Sequence, residues 1–348
     1  MKAIKKSLIL ILLLTLILPL AACGEEELVT KQIFAMDTSM ILKAYGKNAE
    51  EALNVAIGEI NSLNISLDPE NEQSMVYELN KRGYWGVVAK AQMAELLMAC
   101  KEYYALTNGA FNPAVYSIVK AWGFIDGSYR VPEEEELAEL LKYINFKLVE
   151  ISSFPGEESY MVKTQYGMQI GFGAIGKGYA SDLVIEALKA NGVKSAIVSL
   201  GGNIKTLGTK PDGSMWTIAI QDPEATDGFI GYLKTADKAV VTSGGYNRFF
   251  VAQDGKMYSH IINPSNGMPA DSGLTSVTVV CDNAAKADAL STGIYVMGET
   301  KALRLYRECK DFELILVTVD GRVIVTNGLY DYFSPDNPNY DFSYASSS

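Results

Sequence analysis

Among its 348 residues the sequence has a single histidine and only four cysteines. One imidazole, His260, excludes zinc centres built from several histidines. Apart from Cys23, treated below, Cys100, Cys281 and Cys309 are odd in number and irregular in spacing. They read as ordinary buried thiols, not as a disulfide framework or metal site. Positive charge is scarce as well: 30 Lys and Arg against 41 Asp and Glu give a net charge of −11. Such a chain lacks the basic surface that a nucleic-acid backbone requires, so no nucleic-acid partner is expected. No repeat and no long linker divides it, which leaves one large domain or two closely joined lobes.

The one long hydrophobic run stands at the start. MKAIKKSLILILLLTLILPLAACG places Lys2, Lys5 and Lys6 before an apolar stretch and then small residues. That is the order of a secretory signal, too short for an ordinary spanning helix. LAAC ending at Cys23 resembles the lipobox of bacterial lipoproteins, whose cysteine is lipidated and becomes the new N-terminus. A plain signal peptide with a chance cysteine is the alternative. The expected organisation is a signal over 1–22, a polar tether over 23–30, a folded domain over 31–335 and a polar tail over 336–348 whose end is mobile. The mature protein is then extracytoplasmic and held to the bacterial membrane by Cys23. Cleavage removes three lysines and no acids, taking the net charge from −11 to −14.

Periodicity predicts a strand in IFAMDTSMILKAYG, a helix in AEEALNVAIGEINSLN and a loop over ISLDPENEQSMVYELNKRG. A helix over Val88–Leu106 stops at Asn108-Gly109, and VPEEEELAELLKYI opens a helix with acids in its first turn. WTIAIQDP, KAVVTSGGY and SVTVVCD read as strands, and ELILVTVDGRVIVT as a hairpin about Asp320-Gly321. The expected class is α+β, with mixed sheets and flanking helices.

Two segments bear on chemistry. GFGAIGKG fits a dinucleotide fingerprint through Gly171, Gly173 and Gly176, yet the following strand, SAIVSLGG, ends without the acid that holds a ribose. It also nearly fits a phosphate loop ending in Lys177, but Gly178 stands where Ser or Thr binds magnesium. What remains is a glycine-rich turn opening a helix, read either as an anion site with exposed N–H groups or as a purely structural turn. In NAAKADALSTGIYVMG, Asp288 and Thr292 lie four apart in a helical pattern and share a face. Hard oxygen ligands of this kind suit Mg²⁺, which takes few protein ligands and fills its shell with water and substrate phosphate.

Taken in order, MDTSM, NGAFNPAV with AWGF, GAIGKGYASD, VSLGGNI, TSGGYNRFF, YSHIINPSNGMPA and AKADALSTGIYVMG resemble the ApbE family of FAD:protein FMN transferases over essentially the whole mature chain. The resemblance implies two lobes around a flavin cleft and Mg²⁺-dependent transfer of FMN from FAD to a Thr or Ser hydroxyl of an exported electron-transfer protein, with release of AMP. FAD hydrolysis to FMN and AMP, or non-catalytic FAD binding, are the alternatives. Carried over by motif, the metal ligands are the Ala174 carbonyl, Asp288 and Thr292. Met36, Ala110, Phe111, Asn112, Lys177 and Ile261 contact FAD, with His260 beside it. Arg248 is assigned to the diphosphate or to the surface, and Asp182 to cofactor orientation or a helix surface. His260 or Asp288 accepts the acceptor proton, or His260 only packs on the flavin. The family commonly carries Asp at the positions of Gly171 and Asn112, and an aromatic residue near Ser66 that covers the flavin. DSGLTSVT, Asp271 to Thr278, loosely resembles the acceptor motif that the family modifies, or an ordinary turn entering a strand.

Overall fold

The structure, a computed structural model, describes residues 27–225 and 227–346. The signal and Cys23 lie outside the described residues. Strands β1 (Leu28–Ala35) and β2 (Thr38–Tyr45) form a hairpin where a single strand was expected. Met36 and Asp37 make its two-residue turn with φ of 49° and 58°, the left-handed pair that a tight hairpin requires. Because β1 starts at Leu28, part of the expected tether is sheet.

Helix α1 (Ala49–Ser66) follows, burying Ala49, Ala52, Leu53, Ala56, Ile60 and Leu63 on one face. The expected loop after it contains α2 (Met75–Arg82), whose N-terminus is capped by Ser74 Oγ accepting from Tyr77 N at 2.9 Å. Strand β3 (Val87–Lys90) occupies the first turn of the helix that periodicity predicts from Val88; Val87 and Ala89 face inward while Val88 and Lys90 face out. Helix α3 (Ala91–Leu106) starts only then. Short helices α4 (Tyr116–Ala121) and α5 (Glu134–Leu140) and strands β4 (Glu150–Ser153) and β5 (Ser159–Lys163) complete one lobe. Its core holds Trp122, Phe111, Phe124 and Phe146, all essentially without solvent contact.

The second lobe is built on α6 (Gly176–Ala190), β6 (Ser195–Leu200), β7 (Asn203–Leu207), β8 (Trp216–Gln221), β9 (Phe229–Thr235) and β10 (Ala239–Gly244). It continues through β11 (Phe249–Val251), β12 (Met257–Ser259), β13 (Leu274–Cys281), α7 (Ala284–Met297) and α8 (Glu299–Cys309). The chain ends in β14 (Glu313–Thr318), β15 (Arg322–Thr326), β16 (Phe333–Pro335) and β17 (Asp341–Ala345). Among the described residues nine strands form one sheet in the order β1-β2-β6-β7-β10-β13-β14-β15-β17. Helices α1 and α6 pack on its β1-β2-β6 end and α7 and α8 on β10-β13-β14, while the small sheet β16-β9-β8 covers the opposite face. Strand β13 is thus sandwiched and buried on both faces, which its near-continuous apolar run allows.

Two further readings are decided here. Much of the polar tail is ordered: β17 pairs in parallel with β15, and Phe342 lies against Phe333 with ring centroids 6.2 Å apart. Thr278 sits at the centre of β13, 1% exposed, with Oγ1 2.8 Å from Thr242 Oγ1. DSGLTSVT is thus the ordinary turn entering a strand, and the buried Thr278 hydroxyl is not presented for modification.

Candidate active site between the lobes

The glycine turn and α7 meet at Gly178. A Cβ there would come within 2.1 Å of the Ala284 carbonyl oxygen and 2.7 Å of Asp288 Cβ, so the two helices can cross only over glycine. This is why no Ser or Thr follows Lys177. The crossing is fixed twice. Gly178 N–H donates to Asp288 Oδ2 at 2.9 Å, and the Asp182 carboxylate accepts from Ala284 N and Ala285 N, each at 2.9 Å, at the start of α7. A carboxylate on those N–H groups also complements the helix dipole, and Lys205 pairs with Asp182.

The same geometry decides what the glycine turn offers. Gly176 N–H is spent on the Phe172 carbonyl at 2.7 Å and Gly178 N–H on Asp288. Two of the donors expected for an anion are therefore already engaged. Gly178 is the third residue of α6, so its N–H is one of the helix-start donors that have no intrahelical partner, and Asp288 takes it. The Ala174 carbonyl precedes the helix, and among the described residues no backbone N–H donates to it. The turn presents an acceptor, suited to a cation.

Ala174, Asp288 and Thr292 all line one cavity between the lobes, with a volume of about 990 Å³. That is at the upper end of small-molecule sites, ~300–1,000 Å³, and suits a dinucleotide. Asp288 is 3% exposed, with one carboxylate oxygen held by Gly178. Among the described residues no three His, Cys, Asp or Glu side chains gather as a metal cluster. The donor set is instead one carboxylate, one hydroxyl and one carbonyl, all hard oxygens, and it fits Mg²⁺ with remaining positions left to water and phosphate. Lys177 and Arg248 line the same cavity, and neither is among the ion pairs of the described residues. Among the described residues Lys177 Nζ approaches the Gly173 carbonyl alone, at 3.4 Å, and Arg248 donates to the Phe124 carbonyl.

His260 follows the β11–β12 hairpin, which is pinned to the first lobe by Phe250 and Tyr258 against Trp122. Its Nδ1 lies 3.0 Å from the Arg248 carbonyl oxygen. A carbonyl only accepts, so Nδ1 carries the proton and Nε2 keeps its lone pair. Burial, with smaller effects from the charges of Arg248 and Lys177, pushes the imidazole down from 6.5 to about 4. His260 is neutral at physiological pH.

The ApbE family profile matches residues 36–316. The chain belongs to the ApbE family. It is 32% identical over 306 residues to the FAD:protein FMN transferase of Treponema pallidum (strain Nichols), covering 83% of this chain and 84% of that one. A Klebsiella pneumoniae (strain 342) relative with the same name is 30% identical over 308 residues, covering 88% and 94%. The crystal structure of the ApbE protein from Thermotoga maritima superposes with a TM-score of 0.81 at 30% identity, covering 88% of this chain and 99% of that one. Apo flavinyl transferase ApbE of Pseudomonas stutzeri gives 0.78 at 27%, covering 90% and 99%.

Within this ApbE fold, the cavity brings together Met36, Ala110, Asn112, Ala174, Lys177, Arg248, His260, Ile261, Asp288 and Thr292. Met36 reaches it from the β1–β2 turn, its N–H held by Asn64 Oδ1 at 2.6 Å. Two expected cofactor contacts lie elsewhere. Phe111 is 1% exposed in the first lobe's core, and Asp182 serves the helix clamp. At Asn112 and Gly171, where the resemblance leads one to expect Asp, the residue present has a local cause. Asn112 Oδ1 accepts from Ala114 N while Nδ2 donates to the Ile144 carbonyl, both at 2.9 Å; a carboxylate could not make the second bond. At Gly171 a Cβ would lie 2.5 Å from the Tyr116 ring, which fills the space an acid would need. Tyr116 in turn donates to Glu70 Oε1 at 2.7 Å, beside Lys120 at 2.7 Å. This fixes the Leu67–Glu70 segment as a cavity wall, with Glu70 held below the ordinary carboxylate range by Lys120 and Tyr116. Glu70, Tyr116 and Ser243 escaped sequence reasoning. Ser243, just before Gly244-Gly245, had a local signal; Glu70 in a turn-rich run had none.

Proposed function

We propose that the chain transfers FMN from FAD to a Thr or Ser hydroxyl of an exported electron-transfer protein, releasing AMP, with Mg²⁺ at Ala174, Asp288 and Thr292. The observation that carries the reading is one cavity that holds Asp288, Thr292 and Ala174, whose carbonyl accepts no backbone N–H among the described residues, together with two cations that form no ion pair among those residues. Kinship with chains named FAD:protein FMN transferase supports the same reaction. Mg²⁺ would supply charge neutralisation at the pyrophosphate. Lys177 and Arg248 then bind the diphosphate and offset charge as the P–O–P bridge breaks and AMP departs. The acceptor oxygen forms the new bond to the FMN phosphorus, and its proton passes to His260 Nε2, the open lone pair. A bound diphosphate favours the imidazolium and raises the proton affinity of that nitrogen. Lipidation at Cys23, outside the described residues, would anchor the enzyme on the extracytoplasmic face.

The test uses the full chain and its Cys23→Ser variant, with FAD, Mg²⁺ and a threonine-bearing flavin acceptor domain. The acceptor gains the mass of FMN, AMP release depends on acceptor, and EDTA stops both. The wild-type chain sediments with membranes, whereas Cys23→Ser is released. AMP formed equally without acceptor makes the chain a hydrolase, and FAD bound without AMP makes it a binder. Wild-type chain released like the variant removes the anchor.

The His260 assignment predicts the acid limb of kcat/KM. With the free group near 4, the base is present across pH 5–8 and is lost only as pH falls through about 4. A kcat/KM profile flat across 6.5 agrees, and a tenfold drop centred at 6.5 contradicts it.

A further inference from the structure

Three hydroxyls beside the cavity form a chain whose proton order is forced. Ser291 Oγ lies 2.9 Å from the Asp288 main-chain carbonyl, which can only accept, so Ser291 donates its one proton there. Ser243 Oγ is 2.8 Å from Ser291 Oγ; with the Ser291 proton committed, Ser243 donates to Ser291. Ser243 Oγ is also 3.2 Å from Thr292 Oγ1, and having no second proton it must accept from Thr292. The order runs Thr292 to Ser243 to Ser291 to the Asp288 carbonyl. Ser291 is fully buried, so water does not compete at the chain's inner end. A threonine in a helix ordinarily turns its hydroxyl to the carbonyl four residues back. Here that carbonyl belongs to Asp288 and is taken by Ser291.

We propose that Ser243 is a positioning residue that draws the Thr292 proton away from the cavity and so aims the Thr292 lone pairs at the divalent cation. A hydroxyl can ligate only through a lone pair, and one free to rotate presents its proton part of the time. Ser243 removes that freedom, as outer partners of metal ligands commonly do. The inference rests on the cation reading proposed above.

The test is Mn²⁺ binding to the full chain without FAD, read by the electron paramagnetic resonance of free Mn²⁺, with melting of the metal-free protein measured alongside. Ser243→Ala should weaken Mn²⁺ about 10- to 100-fold with little change in metal-free melting, and Ser243→Thr, which restores a hydroxyl, should return most of the affinity. On a Thr292→Val background Ser243→Ala should weaken binding no further, because the oriented hydroxyl is gone. Wild-type affinity in Ser243→Ala, or an undiminished effect on the Thr292→Val background, overturns the relay while leaving the cation site standing. Should Ser243→Ala fail to fold, Ser291→Ala removes the acceptor of the Ser243 proton; weakened Mn²⁺ binding supports the relay and wild-type binding overturns it. No Mn²⁺ binding by the wild-type chain removes the cation reading itself, and the relay with it.

Discussion

Asp288→Asn lowers kcat/KM for FMN transfer by about a thousandfold, a loss on the scale of removing a principal electrostatic group from an active site. The substitution separates charge from architecture. An asparagine side-chain oxygen still accepts from Gly178 N–H, so α6 and α7 keep their crossing, and what is lost is the one carboxylate in the proposed donor set. With a carbonyl and a hydroxyl left, the cation has no formal negative charge from the protein to hold it. Circular dichroism and thermal melting should stay near wild type while transfer collapses. A variant that retains activity within tenfold at ordinary Mg²⁺ concentration would mean that Asp288 serves only to bind Gly178.

Gly178→Ala produces the largest structural effect. Its methyl would lie 2.1 Å from the Ala284 oxygen, and that oxygen belongs to main chain already clamped by Asp182. Neither helix can yield without breaking the Asp288–Gly178 bond, a hydrogen bond to a charged acceptor, on the order of 1.5–3 kcal/mol. Overpacking adds about 1–3 kcal/mol. Together they predict a fall in melting temperature of roughly 10 °C, taking about 2–4 °C per kcal/mol for a large domain, and loss of divalent-cation binding. By contrast, Gly173 has open space at its Cβ position, so Gly173→Ala should melt within about 2 °C of wild type. Equal melting of the two variants would contradict the tight crossing.

What could be read from the sequence was what a single element determines. Asp288 and Thr292 share one helix, so their common face followed from spacing, and the ordered motifs carried the family and the mixed α+β class. Features set by distant pairing were not legible. Gly178 reads as a failed phosphate-loop position until Ala284 is seen above it. Asp182 reads as a cofactor contact because the α7 N-terminus it caps is remote in sequence. The glycine turn also suggested anion-binding N–H groups, and only the structure shows those of Gly176 and Gly178 taken by Phe172 and Asp288. Phe111 stands between two cavity residues, yet its ring turns into the core. The polar C-terminal segment gave no strand signal because a parallel edge strand takes its stability from β15 and not from its own composition.

The central claim, that one divalent cation is held by the glycine turn and α7, is tested most directly by anomalous scattering from crystals grown with Mn²⁺ and FAD. The account predicts a manganese peak bounded by the Ala174 carbonyl, the Asp288 carboxylate and the Thr292 hydroxyl, touching the FAD diphosphate. A cavity that holds FAD with no such peak, or with manganese bound away from Asp288, would contradict it.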